Sequence, residues 1–122
     1  MKSRAHILVV EDDPLISELL VEVLQDRYDA TAVESATGAI QQLRAGAIDL
    51  VLLDCTLPGG LGTELLPMVD SAGIPVVLMS GNPETASRIP GSRRFVPKPF
   101  AISALIEMVD AMLEPQMGFV PP

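Results

Sequence analysis

The 122 residues predict an open α/β sheet of parallel strands with helices on both faces, and three observations carry that prediction. First, the runs "ILVV" (7–10), "LVLL" (50–53) and "VVLM" (76–79) are apolar without polar alternation, which suits strands covered on both sides. Second, stripes of apolar residues at helical spacing separate these runs. Third, strand and helix patterns alternate along the chain, and that alternation assembles into a parallel sheet.

Each element has its own justification. The first strand runs into Glu11, Asp12 and Asp13, and Asp13 before Pro14 makes an N-cap with proline at the first helical position. Leu15, Ile16, Leu19, Leu20, Val23 and Leu24 form the stripe of the first helix. "DATAV" (29–33) supplies the second strand, and Ala36, Ala39, Ile40 and Leu43 mark a second helix that Gly46 ends. After the third strand, "GTELLPMVD" reads as a helix in which Pro67 demands a late start or a bend. "RFV" (94–96) makes the fifth strand. Ile102, Leu105, Ile106, Val109, Met112 and Leu113 then give the clearest helical stripe of all.

Composition narrows the function. A hydrophobic content of 48% against 20% charged excludes a disordered chain, and no apolar run reaches the length of about 18 residues that a membrane span needs. A cytoplasmic location is therefore the expectation. A net charge of −8 speaks against direct nucleic-acid binding, which needs clustered Lys and Arg. The lone Cys55 has no partner for an internal disulfide and reads as a small hydrophobe. With His6 at the far end of the first strand, a Cys-His catalytic pair is excluded in practice.

In an open α/β sheet, ligands gather at the carboxyl ends of the strands. Those ends carry Glu11 and Asp12, then Asp54, then Ser80, then Lys98. Three acids, a hydroxyl and a lysine are thus expected in one crevice. Carboxylate oxygens at that density suit a hard divalent cation.

These residues sit in "VVEDDP", "LLDCTLPGG", "LMSGN" and "FVPKPF", and with them the chain, over residues 5 to 114, resembles a response-regulator receiver domain of two-component signalling, CheY-like in fold. The resemblance implies a (βα)5 flavodoxin-like sheet in the order 2-1-3-4-5. It implies that Asp54 accepts a phosphoryl group from a phosphohistidine on a histidine kinase or histidine phosphotransfer protein. Mg2+ (or Mn2+) would be held by Asp12, Asp54 and the backbone carbonyl of Thr56, with Glu11 acting through water. Lys98 would be the second counter-charge, with a cis bond to Pro99, and Ser80 and Phe95 would form the switch. Such a domain is a signalling phosphoacceptor and no enzyme beyond its own phosphorylation and dephosphorylation.

Some features depart from the family pattern or extend it. Ser80 and Lys98 are closer in sequence than is usual by about one helical turn of ~3.6 residues, and Pro83, Gly81, Pro90 and Gly91 leave only 84–89 for a helix. A short or irregular helix is expected there, which puts the usual output face in question. Arg88, Arg93 and Arg94 form the basic patch of an acidic chain, either recruiting an acidic partner or guarding a sheet edge. Thr56 and Asn82, small and polar, are expected to let water reach the acyl phosphate. A receiver domain over 1–114 and a disordered tail over 115–122 are expected, the tail being otherwise a linker stub or a docking segment using Met117 and Phe119.

The reading is a stand-alone receiver, monomeric or weakly dimeric when phosphorylated, acting through protein contacts without membrane association. A receiver cut from a hybrid kinase or larger regulator, or one that binds partners without phosphorylation, remains open. A flavin binder of the same fold would need a phosphate-cradling loop where this chain has three anions. A phosphohydrolase with an Asp nucleophile would need a second acid where Thr56 stands.

Overall fold

The computed structural model describes residues 4–55, 65–82, 84 and 94–113. Five strands, β1 (His6–Val10), β2 (Asp29–Val33), β3 (Leu50–Asp54), β4 (Val76–Ser80) and β5 (Arg94–Pro97), form one parallel sheet in the order β2-β1-β3-β4-β5. Four helices are described: α1 (Pro14–Leu24), α2 (Ala36–Ala45), α3 (Leu65–Ala72) and α4 (Ile102–Leu113).

The apolar runs do what two-sided burial requires. Leu8, Val10, Val51, Leu53, Val76 and Leu78 face one core, closed by Ala39 of α2 and by Leu65, Leu66 and Val69 of α3. Ile7, Val9, Leu50, Leu52, Val77, Met79 and Val96 face the other, closed by Leu20 and Leu24 of α1 and Leu105 and Val109 of α4. Successive side chains on a strand point to opposite faces, so each run feeds both cores.

Helix punctuation follows the local chemistry. The Asp13 side chain accepts from the Leu15 amide at 2.9 Å, with Pro14 at the first position of α1. Ser35 caps α2 by accepting from Gly38, and Gly46, at φ +89°, ends it. Pro67 occupies the third position of the α3 span, where a missing N–H costs little.

The apolar stripe of α1 divides between core and surface. Leu15 and Leu19 do not join the core: they are 76% and 46% exposed. Residues 16, 20 and 24 lie one above another on a helix, and Leu20 and Leu24 are the positions α1 buries, with Ile16 packed beside them. A helix resting on a sheet covers only a limited arc, and six apolar positions are more than that arc holds.

The amino ends of the strands are tied by paired polar groups. The Arg4 guanidinium donates to the carbonyls of Gln25, Arg27 (3.2 Å) and Tyr28 (2.8 Å) just beyond the end of α1. Asp49 accepts from the His6 amide at 2.8 Å, and His6 Nε2 lies 2.7 Å from Thr31 Oγ1. Asp110 of α4 accepts from the buried Tyr28 hydroxyl and from Arg27 at 2.6 Å. His6 is thus a strand-start residue, as its position suggests.

Apart from Glu84, the expected helix over 84–89 lies outside the described residues, as do the tail 115–122 and residues Thr56, Arg88 and Arg93. Arg94 opens β5 and is exposed.

Candidate functional site

The acidic residues stand where the sheet places them. Each strand delivers its first polar side chain to the same edge, because β1, β3, β4 and β5 are parallel and in register. Ligand oxygens of Glu11, Asp12 and Asp54 lie within 4.8 Å of one another. Glu11 and Asp54 are each only 1% exposed, whereas Asp12 faces solvent.

Lys98 answers that charge. Its Nζ is 2.8 Å from Glu11 Oε1 and 3.5 Å from Asp54 Oδ2. The Lys98 amide donates to the Ser80 carbonyl at 2.8 Å, anchoring the residue to the end of β4, and the Lys98–Pro99 bond is cis. The other Glu11 oxygen, Oε2, accepts from the Asp13 amide at 3.1 Å, and the Glu11 amide donates to Val33 of β2.

The electrostatics follow from burial. Desolvation pushes the Glu11 carboxyl above its ordinary 4.5, with Asp54 adding to the rise and the bonds from Lys98 and the Asp13 amide offsetting part of it. For Lys98 burial favours the neutral amine, yet the Glu11 bond and the charges of Asp54 and Glu11 prevail and hold the ammonium above its ordinary 10.5. Burial, with the Asp54 charge beside it, pushes the Cys55 thiol up to about 11. A thiol so placed is inert at neutral pH.

Ser80 and Phe95 are less conspicuous. The buried Ser80 hydroxyl donates to the Asn82 carbonyl at 2.8 Å and accepts from the Asn82 amide at 2.9 Å. Asn82 in turn accepts from the Glu84 amide through its side chain. Phe95 is half-buried against the core on the α2 and α3 side, next to Leu78 in the sheet register. The geometry thus brings Glu11, Asp12, Asp54 and Lys98 together, sets Ser80 in a tight turn with Asn82, and leaves Phe95 on the neighbouring strand.

Sequence reasoning missed the surface beside this site. An apolar groove of about 400 Å3 runs from Ile16 and Leu19 of α1 to Lys98, Pro99, Phe100 and Ile102. Its signal was present in the stripe of α1, which holds more apolar residues than one core face accepts.

A fold and site of this kind define a phosphoacceptor class of signalling domain, and comparison with known proteins agrees. Residues 7–110 match the family model of the response regulator receiver domain, and the chain belongs to that family. It is 33% identical over 116 residues to the DNA-binding response regulator MtrA of Mycolicibacterium smegmatis, covering 90% of this chain and 51% of that protein. The chain therefore spans about half the length of the curated relatives it matches there. Among solved structures, the response regulator TrrA of Thermotoga maritima, in complex with Mg2+ and BeF, superposes with a TM-score of 0.77 at 31% identity, over 88% of this chain and 98% of that one. A CheY-like receiver domain from Methanospirillum hungatei superposes with a TM-score of 0.82 at 25% identity, over 94% and 98% of the two chains.

Receiver domains bind Mg2+ in an acidic pocket, and the donor set here fits that ion. Among the described residues it offers three carboxylates, with one oxygen from each clustered within 4.8 Å and Asp12 exposed to solvent. Mg2+ takes one or two carboxylates and keeps several waters, so three acids are sufficient.

Proposed function

We propose that Asp54 accepts a phosphoryl group from a phosphohistidine of a histidine kinase or phosphotransfer protein. The convergence of Glu11, Asp12 and Asp54 with the Lys98 ammonium carries this reading. An Asp54 carboxylate oxygen attacks phosphorus, the bond from phosphorus to the donor imidazole nitrogen breaks, and the nitrogen keeps the electron pair. Two anions meet in that step, and Lys98, 3.5 Å from Asp54, supplies positive charge to the oxygens that gain it. Asp12, Asp54 and the Thr56 carbonyl would hold Mg2+ directly and Glu11 through water; the ion, when bound, neutralises charge on the carboxylate and phosphoryl oxygens.

The switch is a change of hydrogen-bond partner. Ser80 gives its proton to Asn82 in this arrangement, so a phosphoryl on Asp54 competes with that carbonyl for the hydroxyl. Phe95, only half-buried, has the freedom to repack when Ser80 moves, and the phosphoryl biases the equilibrium between the two packings. Thr56 and Asn82 are small and polar residue types that should not shut water out from the acyl phosphate, so the signal decays by itself; a phosphoryl lifetime of many hours would count against this.

Delivery by a protein suits the surroundings. Leu15 and Leu19 present apolar surface beside the site, a surface that a macromolecular donor covers and a small one does not. Output runs through protein contacts in a cytoplasmic setting, with no nucleic acid bound by this domain itself.

The direct test is intact-mass spectrometry after incubation with acetyl phosphate, with and without Mg2+. The wild type should gain one phosphoryl group only with the metal, and Asp54→Asn none. An adduct on Asp54→Asn, or none on the wild type with Mg2+, overturns the reading.

A further inference from the structure

We propose that residues 114–122 fold back along α4 and seat Phe119 in the apolar groove beside the acidic pocket. The docking itself does not depend on the phosphoacceptor reading.

The groove, of about 400 Å3, lies between Ile16 and Leu19 of α1 and Phe100 and Ile102 at the start of α4. Lys98 is the polar side chain in its lining, and its ammonium is already committed to Glu11 and Asp54. Such a surface has apolar area to cover and no free side-chain hydrogen bond to offer an incoming segment. A smaller cleft of about 100 Å3 lies on the same seam, a turn further along both helices, where Ile106 meets Val23 and Leu24.

The sequence that follows α4, "EPQMGFVPP", matches this seam in chemistry and in spacing. Besides its prolines, which bring no N–H in need of an acceptor, it carries Met117, Phe119 and Val120. In an extended chain, residues two apart point to one side about 6.6 Å from each other. On α4, Ile102 and Ile106 share a face about 6 Å apart. A chain running antiparallel to the helix therefore sets Met117 over Ile106 when Phe119 lies over Ile102. Reach agrees with register. Leu113 stands about 17 Å along the helix from Ile102, and an extended chain from Leu113 to Phe119 spans about 20 Å. The slack serves the turn at Glu114–Pro115.

Two arguments favour this segment over other occupants. A tether this short holds it at an effective concentration on the order of millimolar, so weak contacts suffice. A second copy of the chain carries the same net charge of −8 and is repelled. Seated in the groove, the segment covers the face that a protein phosphodonor would cover, so donor and segment compete. That consequence alone rests on the phosphoacceptor reading.

The experiment is nuclear Overhauser spectroscopy on the full wild-type chain, with Phe119→Trp as a second reporter in a protein otherwise without tryptophan. Contacts are expected from the Phe119 ring to the methyls of Leu19 and Ile102, and from the Met117 methyl to Ile106. The tryptophan should emit to the blue of a free 114–122 peptide carrying the same substitution, and should resist acrylamide several-fold better. Leu19→Glu, at an exposed position, should return both readings to those of the peptide, while thermal unfolding shows that the fold survives. Missing contacts in the wild type, peptide-like emission, or emission indifferent to Leu19→Glu would overturn the proposal and leave the groove to a partner protein. Blue emission that grows with protein concentration would also overturn it, assigning the groove to a second copy's segment. None of these outcomes bears on Asp54, whose phosphorylation by acetyl phosphate is read separately.

Discussion

The two ends of the sheet handle charge in opposite ways. At the amino ends, every charged or polar side chain described above meets a complementary group: Arg4 meets carbonyls, Asp49 an amide, and Asp110 a hydroxyl and a guanidinium. At the carboxyl ends three acids crowd within 4.8 Å around one lysine. Like charges at that separation repel by roughly 1 to 3.5 kcal/mol per pair, depending on the local dielectric. The first end holds the fold together; the second holds a site at the fold's expense.

Substitutions at the two ends should therefore have opposite signs. The largest effect on stability is expected from Asp110→Ala, which removes the acceptor of the buried Tyr28 hydroxyl and should cost about 2 kcal/mol in urea unfolding without altering Mg2+ affinity. Arg4→Met, which strips three carbonyls of their donor, should cost about 1 kcal/mol by the same measure. At the other end, Asp12→Asn should stabilise the metal-free protein by about 0.5 to 1 kcal/mol while weakening Mg2+ binding by about tenfold or more, read by calorimetry. If Asp12→Asn destabilises instead, the contrast between the ends fails.

The smallest effect is a pH slope. The Glu11 pKa is raised by burial, so the folded metal-free protein binds its proton more tightly than the unfolded chain does. Stability from this group is complete below 4.5 and falls as pH rises through the folded value. Glu11→Gln should flatten the slope of unfolding free energy just above that pH. Lys98 has the same sign at the alkaline end: its contribution is present below 10.5 and is lost as pH climbs through its raised value.

The carboxyl end was far more legible in the sequence than the amino end. "ILVV", "LVLL" and "VVLM" read directly as doubly covered strands, and the residue that follows a parallel strand has nowhere to go but the shared edge. Glu11, Asp12, Asp54 and Lys98 therefore converged in the structure as their positions implied. Asp13 with Pro14, and Gly46, marked helix ends because capping is a local property. Periodicity could not fix the rotation of α1 about its axis, so the stripe alone did not tell Leu15 and Leu19, which are exposed, from Leu20 and Leu24, which are buried. Tyr28 and Asp110 lie 82 residues apart, and no local pattern announces such a pair. The Ser80 hydroxyl, expected to be a switch group, closes a turn with Asn82 in the structure.

The pairing of Tyr28 with Asp110 has a further consequence. The chain holds one tyrosine and no tryptophan, so its ultraviolet emission comes from a single ring whose hydroxyl points at a carboxylate, a contact that quenches tyrosine light. That ring sits at the edge opposite the acidic pocket, across strands of about 16 Å. The molecule thus carries a built-in optical gauge far from its chemistry. Brightening on phosphorylation would report a message that has crossed the sheet to α4, and constant emission would confine the response to the near edge.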